Sequence, residues 1–174
     1  PSFGYRPRDI RNGLSMPPKM TLTNIVNAMK RPHWSIQTLI KGQPSFEILK
    51  PYMPKNLNLS QLAKFMDTTF SGRLNEDKIK KIRDNWKGKL VLKGAESVHD
   101  VEKAYQLGLD GVIVSNHGGR QVDVGQAAID SLKTIAPLYK EKLTVMMDSG
   151  IRGGADVARV MASGADFSFM GRTF

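Results

Sequence analysis

No cysteine occurs among the 174 residues, which excludes a disulfide framework, a thiolate metal site and a thiol nucleophile together. No apolar run approaches the ~18 residues that a bilayer-spanning helix needs. Aromatic residues are sparse at 7% and do not interleave with the basic ones, and no reading module for nucleic acid is visible. Nucleic acid is therefore not an expected partner. The chain opens PSFGYRPRD, with neither an initiating Met nor an apolar leader, and is expected to be part of a longer polypeptide. Acidic residues are scarce in the first third. Residues 1–60 hold nine Lys/Arg against Asp9 and Glu47 alone, a balance of +7, whereas residues 61–174 hold 17 against 14, a balance of +3. A basic excess of that kind suits an anionic membrane surface, a protein partner or simply a solvated face.

What is present speaks for a folded chain. Hydrophobic residues at 40% and charged residues at 24% are incompatible with wholesale disorder, and the length suffices to bury a sizeable core. Short continuous apolar runs recur at LVL (90–92), GVIVS (111–115), LTVMM (143–147) and FSFM (167–170). Runs of this length predict parallel strands buried on both faces. Helical patterns lie between them: 97–107 opens on a Ser cap and stops at Gly108, 126–138 follows, and 153–163 stops at Gly164. Residues 75–86 predict a further helix, with Asn75 as cap and Ile79, Ile82 and Trp86 as its buried stripe. The strand starts lie 21, 32 and 24 residues apart, the repeat of βα units. Earlier, 21–30 and 58–65 predict helices, while Pro17, Pro18, Pro32, Pro44, Pro51 and Pro54 interrupt the segment. Residues 1–74 are expected to be a loop region and basic excursion between strands, and 75–174 the βα units.

In parallel α/β folds, functional residues gather where strands end. Here the four ends carry Lys93-Gly94, Ser115-Asn116-His117-Gly118-Gly119-Arg120, Asp148-Ser149-Gly150-Ile151-Arg152 and Gly171-Arg172. A lone histidine or Gly-Arg pair is more often structural than functional. Four ends all presenting polar or basic groups on one rim point to a site. Gly150, Gly153 and Gly154 let backbone N–H groups approach an anion at a helix N-terminus, and Arg152 and Arg172 offer forked donors to phosphate oxygens. A phosphorylated substrate or a nucleotide-type cofactor is the expected ligand.

The run Ser115–Gln121, with Lys93 placed 24 residues before His117 and the 25-residue stretch Asp148–Arg172 after it, resembles the FMN-dependent 2-hydroxy-acid dehydrogenase/oxidase family. Gly4–Gly13 is similar, less densely, to that family's loop after the fourth barrel strand. The resemblance implies an α/β fold, the C-terminal half of a TIM (β/α)8 barrel covering about strands 5–8 and lacking the final helix. It implies FMN as cofactor and oxidation of an L-2-hydroxy acid, L-lactate foremost, to the 2-keto acid. By the same resemblance His117 is the base and Arg120 and Arg6 clamp the substrate carboxylate. Lys93, Ser115, Asp148, Ser149, Gly150, Ile151, Arg152, Gly171 and Arg172 bind the cofactor, and no metal is implied. Electrons would pass to a quinone or cytochrome, or to oxygen in an oxidase.

Tyr5 departs from the pattern, standing where the family commonly has Arg. The Asp expected to orient the histidine would fall two positions before Pro1. In membrane-associated members the stretch matching residues 10–60 binds the membrane. Here Trp34, Ile36, Leu39, Ile40, Phe46, Ile48 and Leu49 lie among Lys30, Arg31, Lys41 and Lys50, a pattern suited to an anionic leaflet. The implied location is peripheral, on the cytoplasmic side of the inner membrane, with soluble cytoplasmic as the alternative, and a homotetramer is the implied assembly. A non-catalytic, phosphate-binding half-barrel is the alternative from a different class.

Overall fold

A computed structural model describes residues 11, 21–42, 47–54, 57–69, 74–120 and 124–171. The chain divides into two compact units, Pro1–Arg73 and Leu74–Phe174.

In the first unit, α1 (Leu22–Met29) and α2 (Pro32–Lys41) are followed by a 3-10 helix (Glu47–Tyr52) and α3 (Leu59–Thr69). Thr21 caps α1, its hydroxyl accepting from the Asn24 N–H at 3.2 Å. Ser35 Oγ ties α2 back to α1 by donating to the Ala28 carbonyl at 2.7 Å. Pro32, which the sequence marks as an interruption, instead opens α2. At the first helical position its missing N–H is one that no helix uses, and its fixed φ favours the turn. Reciprocal bonds start α3: Gln61 N–H donates to Asn58 Oδ1 at 2.8 Å and Asn58 N–H to Gln61 Oε1 at 2.9 Å.

In the second unit, α4 (Glu76–Asn85) leads into β1 (Val91–Ala95), α5 (Val98–Gln106), β2 (Gly111–Val114), α6 (Ala128–Tyr139), β3 (Thr144–Met147), α7 (Gly154–Ala162) and β4 (Phe167–Ser168). The strands form one sheet in the order β1-β2-β3-β4, every neighbouring pair parallel. The helices and strands predicted in this unit are all present, with boundaries shifted by up to three residues. Ser97 caps α5, and Gly108 and Gly164, at φ 72° and 103°, follow the ends of α5 and α7.

The core lies on one face of the sheet. Val112, Val114, Val145 and Met147 point into it from β2 and β3, against Val101 and Ala104 of α5, Leu132 and Ile135 of α6 and Val160 of α7. Each large side chain buried there contributes about 1.5–3 kcal/mol relative to exposure. The expectation of burial on both faces holds for one face only. Val91 and Phe167 are exposed and Ile113 and Met146 half-buried, because alternate side chains leave the opposite face and no described layer covers it.

The stripe expected on α4 is also corrected. Asn75 does cap the helix and Ile79 packs against the core, but Ile82 and Trp86 remain 46% and 55% exposed. Trp86 folds onto the following loop instead, its ring against Gly88 and its Nε1–H donating to the Lys89 carbonyl at 3.0 Å.

Candidate functional site

The ends of all four strands converge on a cleft of about 1150 Å³. At the end of β1 the register slips between Lys93 and Ala95, where Gly94 adopts φ 94°. Such a bulge re-aims a side chain, and Lys93 lines the cleft. Its ammonium donates to Ser115 Oγ at 2.9 Å and forms an ion pair with the Asp148 carboxylate.

After β2 comes buried Ser115 and then a tight turn, His117–Gly119. His117 has φ 60°, a left-handed conformation for a residue with a Cβ. Its N–H donates to Ser115 Oγ at 3.2 Å. Asn116 closes the turn by accepting from the Gly119 N–H at 3.2 Å, while its Nδ2 donates to the Gln126 carbonyl at 3.1 Å. His117 and Arg120 both line the cleft.

After β3, Asp148, Ser149, Gly150, Ile151 and Arg152 form the opposite wall. Burial pushes the Asp148 carboxyl up, but hydrogen bonds from Lys93, Ser115 and Ser149 outweigh it and hold the group below its ordinary value. Ser149 stands at φ 81°. Among the described residues, His117 and Ser149 are the two non-glycine residues with positive φ, and each such position costs about 1–3 kcal/mol. Strain is thus concentrated on facing loops of one cleft. After β4, Gly171 reaches the same space.

The glycines test whether a phosphate-bearing group fits. A Cβ built on Gly150, Gly153, Gly154 or Gly171 meets no other atom within 4 Å among the described residues. Neither packing nor a positive φ requires glycine at 153, 154 or 171. Bare backbone at the start of α7, beside Arg152, is what a close anionic ligand needs. The residues present fit such a group.

Three further polar residues line the cleft, and the sequence pattern assigns none of them a role of its own. Asn116 acts through the turn just described. Asp156, in the first turn of α7, accepts from the Arg152 N–H at 3.1 Å and pairs with Arg159 Nη1 at 2.9 Å. The three-residue spacing of Asp156 and Arg159 on a helix was the available signal. Arg6 and Arg172 lie outside the described residues. No cluster of His, Asp or Glu suited to a metal ion occurs among the described residues.

The chain is 38% identical to an L-lactate dehydrogenase of Bartonella quintana (strain Toulouse) over 175 aligned residues, which cover 100% of this chain and 45% of the relative. The chain thus spans about half the length of the relatives it matches. The crystal structure of the monotopic membrane protein (S)-mandelate dehydrogenase superposes with a TM-score of 0.80 at 30% identity, over 98% of this chain and 44% of that one. A flavocytochrome b2 variant with pyruvate bound superposes with a TM-score of 0.55 at 37% identity, over 57% of this chain and 27% of its own. The four βα units are therefore part of the barrel of a larger flavoenzyme fold. The family described as FMN-dependent dehydrogenase matches residues 1–174, and the chain belongs to that FMN-dependent family.

Proposed function

We propose that the protein carrying this chain oxidises an L-2-hydroxy acid, L-lactate foremost, to the 2-keto acid. The observation that carries this reading is the meeting of Lys93, His117 and Arg120 with an open glycine-lined anion loop in one cleft. The relatives named L-lactate dehydrogenase support the choice of substrate. Arg120, with Arg6, holds the substrate carboxylate, since a guanidinium fork matches it at two points. His117 takes the proton from the hydroxyl, the general-base role that imidazole most often fills. Lys93 places a positive charge where negative charge develops. Ser115, Asp148, Ser149 and Ile151 hold the cofactor's body, and Gly150, Arg152, Gly171 and Arg172 its phosphate. FMN, when bound, supplies the two-electron acceptor. In the purified protein, anaerobic L-lactate should bleach the flavin's visible band while D-lactate does not. A flavin that only a chemical reductant bleaches would overturn the reading.

Electrons then pass to a quinone or cytochrome. Residues 10–60 support a membrane contact: Trp34, Leu39, Ile40 and Ile48 are exposed on short helices that carry Lys41 and Lys50 and are flanked by Lys30 and Arg31. Phe46 lies outside the described residues. No helix among the described residues is long and apolar enough to cross a membrane, and the monotopic neighbour supports a peripheral contact. Co-sedimentation with anionic vesicles at low salt, weakened at high salt, is the expected result; no binding at low salt would remove the membrane contact. Likeness to a mandelate oxidase, TM-score 0.56 at 35% identity over 57% of this chain, supports oxygen as the second candidate acceptor. Stoichiometric hydrogen peroxide from L-lactate in air would select it.

A further inference from the structure

We propose that Ser149 is a positioning residue for His117, its hydroxyl anchoring the His117–Gly119 turn across the cleft. The inference rests on the proposed role of His117 as base and goes beyond it, since Ser149 enters there only as a cofactor-binding residue.

The hydroxyl is already committed within the protein. Its proton goes to Asp148 Oδ1 at 2.8 Å, and a lone pair accepts the Gly118 N–H at 3.0 Å. The second bond joins residues 31 positions apart, on loops that follow different strands. It falls on the backbone immediately after His117, in a turn where His117 itself is held at φ 60°. The other side of the turn is held by Ser115 Oγ, which accepts from the His117 N–H at 3.2 Å. Ser115 and Asp148 are in turn joined by Lys93. The result is a closed ring through Lys93, Asp148, Ser149, the turn and Ser115.

The backbone at 149 says why the side chain is there. A φ of 81° is a region where glycine rests without strain and serine does not. Glycine would serve the loop better unless the hydroxyl were needed, and its two bonds are what glycine lacks. A side chain retained at a conformational cost beside a proposed catalytic loop marks function rather than packing.

The test compares Ser149→Gly and Ser149→Ala in the flavin-loaded protein. Both lose the anchor, but only Ser149→Ala keeps the left-handed strain. Ser149→Gly should therefore melt higher than Ser149→Ala, and turnover is read per bound flavin, because loss of a cofactor contact lowers FMN content in both. Both should lose kcat with L-lactate by roughly 10- to 100-fold with KM little changed, the cost of a misplaced catalytic group. Hydrogen exchange at the Gly118 amide should quicken in both. Wild-type kcat in Ser149→Gly, or a kcat that falls only as far as FMN content falls, would overturn the proposal, as would an equally protected Gly118 amide. If the wild-type protein itself fails to reduce flavin with L-lactate, the proposed reaction falls separately. The Gly118 exchange comparison then decides the anchoring alone.

Discussion

At the start of β2, three donors hold the Asp110 carboxylate. It pairs with Arg83 at 3.1 Å and Lys89 at 2.8 Å and accepts from the Leu90 N–H at 2.9 Å. Beside it Gly111 is packed so tightly that a Cβ would sit 2.7 Å from the Thr144 carbonyl oxygen, and Gly164, before β4, would place one 2.7 Å from Ala136 Cβ. The other end of the same strands reverses these terms. Its glycines at 150, 153, 154 and 171 open onto space, its non-glycine residues at 117 and 149 carry the strain, and its polar groups line a cleft. One end of the sheet spends its glycines on packing and its charges on each other. The other leaves its glycines open onto a cleft lined by polar groups, some of them, like Lys93 and Asp148, paired with each other, which is the division expected between the two faces of a barrel.

The comparison breaks first at His117. Replacing it with Gln in the protein carrying this chain should cut L-lactate-dependent flavin reduction by about 100- to 10,000-fold, the usual worth of a general base. FMN content and melting temperature should stay near wild type. A large loss of stability instead would place His117 among the packing residues and erase the distinction between the two ends.

A matched pair of glycine substitutions tests it next. Gly111→Ala drives a methyl into a backbone carbonyl that sheet pairing holds in place, and should cost about 1–3 kcal/mol in denaturant titrations. Gly154→Ala adds the same methyl to open space in the first turn of α7, so stability should move by less than about 0.5 kcal/mol, upward if at all. Fluorescence titration should nonetheless show weaker FMN binding for Gly154→Ala. Equal destabilisation by both would mean that the cleft glycines are structural after all.

Much of this division was legible in the sequence, because it depends on local signals. The apolar runs, the caps at Asn75 and Ser97 and the stops at Gly108 and Gly164 each follow from chemistry within a few residues. The gathering of Lys93, His117, Arg120, Asp148 and Arg152 followed from one rule, that βα units present their strand ends on one rim. What escaped depends on where chains cross in space. Pro32 opens a helix rather than interrupting one because nothing upstream needs its N–H. Trp86 looks like core by helical spacing, yet it turns back over Gly88, a contact set by the loop and not by the helix face. The bond from the Gly118 N–H to Ser149 Oγ spans two loops, and no local pattern announces it.

The smallest expected effect, at Asp110, sharpens the comparison from the opposite end. Hydrogen bonding from Lys89, then the Leu90 N–H and the Arg83 guanidinium, lowers its pKa from 3.8 to about 2 despite some desolvation. A carboxylate whose folded pKa is depressed stabilises the fold above its unfolded pKa, and that contribution is lost as pH falls through the folded value. Asp110→Asn should therefore melt below wild type at neutral pH. The gap should hold down to about pH 4 and narrow from there as pH falls through about 2, below which the wild-type carboxylate is protonated in both states. The groups are solvent-accessible, so salt should narrow the gap as well. FMN content and turnover at neutral pH should not change, because Asp110 lies at the start of the strands and the cleft at their ends. Loss of flavin from Asp110→Asn would show that the two ends of the sheet are coupled, and the separation drawn between them would have to be given up.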